Sequence, residues 1–264
     1  MKIKTQLSVK QFYNEIYYIL RETETNITEV WWEISEIPFF NQFSGIELRN
    51  FLDEFNFISL QKGNYQNYIV INKILFIINS INVLKRDIRY LSELLNYDGF
   101  EALIQEILSI NNYKTLKNFR FSDKSNFKSK TTQKKYEIDI IGIDLKYVLL
   151  IDAKQWKRKD SFSSINKAAD LQYRRAVALK KNPEVFSRMI QDSIGIKSDI
   201  KKRLPFFLIP AIVTFEDNSS KINNNQIPLV SIYELNSFLQ ELHNNLAYFR
   251  FIKINKVSMQ KKIL

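Results

Sequence analysis

The sequence predicts an α/β protein. A mixed β-sheet flanked by helices is expected over residues 96–264, preceded by a small, mainly helical domain over residues 1–95. Three observations predict this. From residue 97 onward, segments with helical apolar spacing alternate with short runs rich in β-branched and aromatic residues, the pattern of a sheet with helices on its faces. Two of those runs read as buried strands and yet carry carboxylates and a lysine, in "YEIDIIGIDLKYVLLIDAKQW", residues 136–156. Charge also divides the chain: residues 1–100 hold ten Lys/Arg against twelve Asp/Glu, and residues 101–264 hold twenty-nine against sixteen.

Composition narrows the chemistry. At 264 residues and 45% apolar content, the chain can build a sizeable core. It has no cysteine, which excludes disulfides, cysteine-bound zinc, iron–sulfur clusters and thiol nucleophiles. His243 is the single histidine, so His-pair metal sites and Ser-His-Asp triads are excluded as well. It lies near the end of a helical pattern and reads as a surface or helix-end residue. No apolar run reaches the roughly 18 residues of a membrane span, and the start "MKIKTQLSVKQFYNE" lacks a signal-peptide core. The expectation is a cytoplasmic protein with no membrane partner.

The elements follow in order. "VKQFYNEIYYILRE" and "SGIELRNFLDEFN" have helical apolar spacing, and "FISLQKGNYQNYIVIN" reads strand–turn–strand with Gly63 at the turn. Helices followed by a hairpin suggest a winged-helix-like module. Trp31 and Trp32 in "TEVWWEI" read as core. "YDGFEALIQEILSI" is a helix with Phe100, Leu103, Ile104, Ile107 and Leu108 on one face, Glu101 at its edge, and Asp98 available as a cap. "YKTLKNFRF" is a strand and "SDKSNFKSKTTQKK" a basic loop. Residues 136–142 and 147–154 form a hairpin around "IDLK". "NKAADLQYRRAVALKK" and "PEVFSRMIQDSIGIKSDIKKR" are helical, "FFLIPAIVTF" and "IPLVSI" are buried strands, and "IYELNSFLQELHNN" is a closing helix. Pro210 predicts a break or an edge position in the first of these last strands.

The basicity is concentrated. Residues 114–135 carry eight positive side chains and one negative, and residues 154–181 carry nine and two, both interleaved with aromatics. These stretches bracket the carboxylates of 136–156, which favours a polyanionic partner. The basic residues taken as nucleic-acid contacts are Lys128, Lys130, Lys134, Lys135, Lys157, Arg158, Lys159, Arg174 and Arg175.

Strand alternation puts Glu137 and Asp139 on one face, and Asp152 and Lys154 likewise. In a hairpin both pairs can converge near one strand end, and helix 97–110 could add Glu101. Crowded, buried carboxylates need a cation, and oxygen-only ligands favour Mg²⁺ or Mn²⁺. A lysine beside such a metal can position a water and stabilise charge on a phosphoryl group, which is the chemistry of phosphodiester hydrolysis. The triplet D-x-K occurs at 144–146, 152–154 and 199–201. Only the middle one ends a buried strand with an acidic residue inside a second buried strand upstream.

On these residues, 97–235 resembles the PD-(D/E)XK superfamily, the restriction-endonuclease-like fold, in the manner of archaeal Holliday-junction resolvases and related restriction-type enzymes. "GFEALIQEIL" resembles the first helix of that family, "EIDIIG" the strand bearing its metal-binding aspartate, and "LLIDAKQW" its (D/E)-x-K strand. The resemblance implies Asp139 and Asp152 as metal ligands, Lys154 as the catalytic lysine and Glu101 as an added metal contact. Glu137 would take an outer role. "LQYRRAVALKK" is similar to the helix on which some members carry a glutamine, here Gln172, for which a plain surface position is the competing reading. The proline of the family name is replaced by Ile138. The function so implied is a Mg²⁺-dependent DNA endonuclease, with a homodimer as one arrangement. The alternative is a nucleic-acid-binding protein on a nuclease-like fold, without cleavage.

Overall fold

The computed structural model describes residues 6–85, 87–123, 134–155, 162–195, 200–215 and 220–258. It is of mixed α/β class and divides into two compact units, Met1–Leu103 and Ile104–Leu264.

In the first unit, helix α1 (Gln6–Arg21) leads to strand β1 (Glu29–Glu33), two short 3-10 turns, α2 (Gly45–Leu52), β2 (Ile58–Lys62), β3 (Asn67–Asn72), α3 (Lys73–Leu84) and α4 (Ile88–Ser92). Ser44 starts α2 with a reciprocal cap: its side chain accepts from the Glu47 N–H, and the Glu47 carboxylate accepts from the Ser44 N–H. The expected hairpin forms as β2–β3, and β1 adds a third antiparallel strand in the order β1–β3–β2. The core is aromatic, with the Phe12 ring centred 5.0 Å from both Phe51 and Phe55. The tryptophans correct the sequence reading. Trp31 lies opposite Val70 on the outer face of the sheet and is 58% exposed, whereas Trp32, opposite Ile69, is half-buried. Alternation along β1 sends only one of the pair inward.

Helix α5 (Tyr97–Ile110) contains the division between the units. Asn96 caps it in place of Asp98, since its Oδ1 accepts from the Gly99 N–H at 2.9 Å. Phe100, Leu103, Ile104, Ile107 and Leu108 are all buried, as their spacing predicts.

The second unit is a six-stranded mixed sheet flanked by helices. Its strands are β4 (Lys114–Asp123), β5 (Lys134–Asp144), β6 (Tyr147–Lys154), β7 (Phe206–Thr214), β8 (Leu229–Ser231) and β9 (Ile252–Ile254). β4, β5 and β6 are antiparallel, and β6–β7 and β7–β8 are parallel. The parallel pairing of β6 with β7 requires a crossover, which α6 (Phe162–Lys181) and α7 (Pro183–Ile194) supply. Helix α8 (Leu235–Asn245) follows β8, and His243 in its last turn lies against Tyr147, the ring centres 4.3 Å apart, a partly exposed helix-end position as expected. Leu145 takes φ 50° in the two-residue turn of the β5–β6 hairpin, where a positive φ matches the strand twist. Side chains from α6 and α7, including Ala176, Leu179, Phe186 and Met189, pack with Ile141, Val148, Leu150 and Leu208 of the sheet. On β5, Gly142 lies against Leu108 and Tyr113.

Pro210 neither breaks β7 nor puts it at an edge. β6 pairs with β7 along its whole length, while β9 covers the other side at 206–208 and β8 at 212–214. The Ile212 N–H donates to Pro228 on that other side, so by alternation the Pro210 nitrogen also faces it. There it falls between β9 and β8, where no ladder bond is lost.

Candidate active site

The strands around residue 139 part in two directions. On the β4 side the register runs through Lys117↔Ile140 and resumes at Phe119↔Ile138, and the skipped residue, Asn118, has φ 52°. That left-handed conformation is one that asparagine tolerates better than most residues. On the β6 side the ladder ends at Ile140↔Ile151. One step further Asp139 stands opposite Asp152, and there the Ala153 N–H donates to Asp139 Oδ2 at 2.9 Å. Asp139 is thereby a buried carboxylate at the point where two central strands separate.

Asp152 points to the α6 side of the sheet and is almost fully buried, with a side-chain exposure of 4%. Two cations hold it. Lys154, two residues along the same strand, places Nζ 2.8 Å from Oδ2. Arg175, from α6, donates from Nη1 to Oδ1 at 2.6 Å. The same Nη1 donates to Gln172 Oε1 at 2.7 Å. Gln172 is fully buried, which removes the reading of it as a surface helix residue. Its phase could have been read from the sequence, because Ala169, Gln172, Ala176 and Leu179 form one inward stripe of α6. Two buried donors of this group, Gln172 Nε2 and Arg175 Nε, have no hydrogen-bond partner among the described residues.

The other expected residues are placed as follows. Glu101 is buried on α5, in the first compact unit. Glu137 is turned to β4, where it pairs with Arg120 at 2.9 Å in an exposed ion pair. Among the expected phosphate contacts, Lys135 and Arg174 are exposed and Lys134 opens β5, whereas Arg175 is engaged with Asp152. Lys128, Lys130, Lys157, Arg158 and Lys159 lie outside the described residues.

Among the described residues, no group of three or more His, Asp or Glu side chains is close enough to hold a metal ion. The donors that suit a hard cation are therefore the two aspartates on adjacent strands. Mg²⁺ is commonly held by one or two carboxylates, with waters and phosphate oxygens filling the remaining positions, so this donor set fits it. Each oxygen of Asp152 is already in contact with a cationic side chain, and a metal there would have to share or replace one of them.

No helix among the described residues is long and apolar enough to cross a membrane. No protein-family model matches the chain, and no curated protein matches it with significance. Among solved structures, the crystal structure of protein VC1899 from Vibrio cholerae aligns over 92% of this chain and 53% of its own, with 12% identity and a TM-score of 0.31. The chain thus spans about half the length of that protein.

Proposed function

We propose that the chain is a divalent-metal-dependent nuclease of the PD-(D/E)XK type, acting on DNA as an endonuclease in the cytoplasm. One observation supports this above the rest: Asp139 and Asp152 stand one step beyond the last β5–β6 ladder pair, with the Asp139 carboxylate bound by the Ala153 N–H and Lys154 in contact with Asp152. Buried aspartates on adjacent strands and a lysine that keeps some contact with solvent are the parts that phosphodiester hydrolysis needs. Asp139 and Asp152 would hold Mg²⁺ or Mn²⁺. The metal, when bound, polarises a phosphate oxygen and lowers the pKa of a water. Lys154 reaches the surface at the end of β6, so its ammonium can orient a water and stabilise charge on the phosphoryl group. The Ala153 N–H fixes the orientation of the Asp139 carboxylate. Basic side chains on either side of the two strands would hold the polyanion, and a homodimer would bring the two sites that cutting both strands of a duplex calls for.

A second reading is a nucleic-acid-binding protein without cleavage. It is favoured by the occupation of both Asp152 oxygens by cationic side chains. Labelled linear, branched and single-stranded DNAs and RNAs incubated with Mg²⁺, Mn²⁺ or EDTA separate the two. The nuclease reading expects cleavage that EDTA abolishes. It also expects Lys154→Ala to lower the cleavage rate by about 10²–10³-fold, the scale of one transition-state donor, with binding largely intact. Binding without cleavage in every metal would establish the second reading, and equal loss of binding and cleavage in Lys154→Ala would remove that residue from catalysis.

A further inference from the structure

The nuclease reading gives Arg175 no part beyond a phosphate contact, yet the structure ties it to Asp152. Resting on that reading, we propose that Arg175 is a resident counter-cation of Asp152, and that a divalent metal binds this carboxylate in exchange for the guanidinium.

The geometry of the contact carries the inference. A guanidinium grips a carboxylate best through two parallel N–H bonds. Arg175 uses one nitrogen: Nη1 serves both Asp152 Oδ1 at 2.6 Å and Gln172 Oε1 at 2.7 Å. Its Nε is buried without a partner among the described residues. The hold is therefore made at a single point on the carboxylate, and the guanidinium is left with unmet bonding capacity. The two cations on Asp152 also differ in what binds them there. Lys154 follows Asp152 by two residues on the same strand, so alternation keeps it on the same face whatever else is bound. Arg175 comes from α6 on a long side chain and can withdraw without moving the sheet.

The charges point the same way. A buried carboxylate in the metal-free protein needs a neutralising partner, and Arg175 and Lys154 each place a positive charge on an oxygen of Asp152. A hard dication approaching Asp152 would meet both of them as like charges. Two ligands competing for one carboxylate are negatively coupled, so removal of one tightens the other by the same factor.

The test measures metal binding with no nucleic acid present. The full chain and its Arg175→Gln and Arg175→Met variants are titrated with Mn²⁺ by calorimetry and by water-proton relaxation. Arg175→Gln keeps a neutral donor for Asp152 and remains informative if Arg175→Met fails to fold. Both variants are expected to bind Mn²⁺ more tightly than the parent, by at least about fivefold, the low end of coupling between sites. Mn²⁺ should also raise their melting temperatures by more than it raises that of the parent. A purely structural arginine predicts the reverse, since a site that loses its support binds metal more weakly. Unchanged or weaker binding in the folded variants, with the parent binding normally, would overturn the role of Arg175 and leave the nuclease reading standing. Absence of Mn²⁺ binding in parent and variants alike would remove the metal reading itself, and this inference with it.

Discussion

Asp152→Asn in metal-free protein tests how far the second unit depends on its charge cluster. The substitution keeps the side-chain volume and one carbonyl oxygen, but presents an NH₂ group to a cation. Asp152 and Arg175 both have little exposure, at 4% and 12% of their side chains. Removing one partner of a buried pair costs about 3–5 kcal/mol, because the other charge is left without compensation. Two features bring the expected cost to the low end. The Lys154 ammonium can regain solvent, being 24% exposed, and the remaining amide oxygen still accepts one bond. A loss of about 3 kcal/mol is therefore expected. In a unit of this size 1 kcal/mol shifts the melting temperature by about 2–4 °C, so the fall should be roughly 6–12 °C. The assay is thermal unfolding followed by circular dichroism in EDTA. Asp139→Asn is the internal comparison. An amide oxygen can accept the Ala153 N–H as the carboxylate does, so that bond is kept and the cost should be smaller than that of Asp152→Asn. An Asp152→Asn protein as stable as the parent, or an Asp139→Asn protein that loses as much, would refute the argument that cationic partners on Asp152 hold this part of the fold.

Three further outcomes are expected. Gly142→Ala should destabilise the second unit by about 1–2 kcal/mol through overpacking, since an added Cβ would lie 3.2–3.3 Å from Leu108 and Tyr113; chemical denaturation at constant m-value measures it, and a neutral result would mean that these side chains move aside freely. Lys73 is fully buried, its ammonium donates to the carbonyls of Glu24 and Leu94, and burial holds its pKa below the ordinary 10.5. The folded state therefore resists the proton that the unfolded state accepts, so stability should rise with pH between the folded pKa and 10.5, by at most about 1.4 kcal/mol per pH unit; urea titrations across that interval should show the slope in the parent and lose it in Lys73→Met. Affinity for nucleic acid should fall steeply with salt, log K declining linearly with log salt by about 0.7–0.9 per neutralised phosphate; a flat response in a filter-binding series would count against a phosphate-contacting basic surface.

Asp139 owes its position to irregularity as much as to the strand that bears it. A residue inside a regular ladder has its backbone groups paired with both neighbours. At 139 the ladder is interrupted toward β4 by the left-handed Asn118 and ends toward β6, which leaves the Ala153 N–H to be met by a side chain. A carboxylate meets that need at a place where a regular sheet would have no room for one.

Much of this was legible in the sequence, because it depends on local periodicity. The buried face of α5, the hairpin of β5 and β6, the long α6 and the α/β class all follow from the spacing of apolar residues over one or two turns or a few strand steps. The placing of the Asp152–Lys154 triplet at the end of a buried strand also followed from the apolar run that precedes it. The tertiary structure alone decided which charge meets which. Arg175 lies 23 residues beyond Asp152, and only the crossover that returns α6 over the sheet brings them together. Glu137 and Asp139 are two residues apart and read as one pair, yet one is bound to Arg120 on β4 and the other to β6. Pro210 stands in a central strand because two short strands from distant parts of the chain leave a gap beside it. Ion pairs and strand neighbours between remote segments depend on how the chain crosses itself, and the period of a single segment carries no record of that.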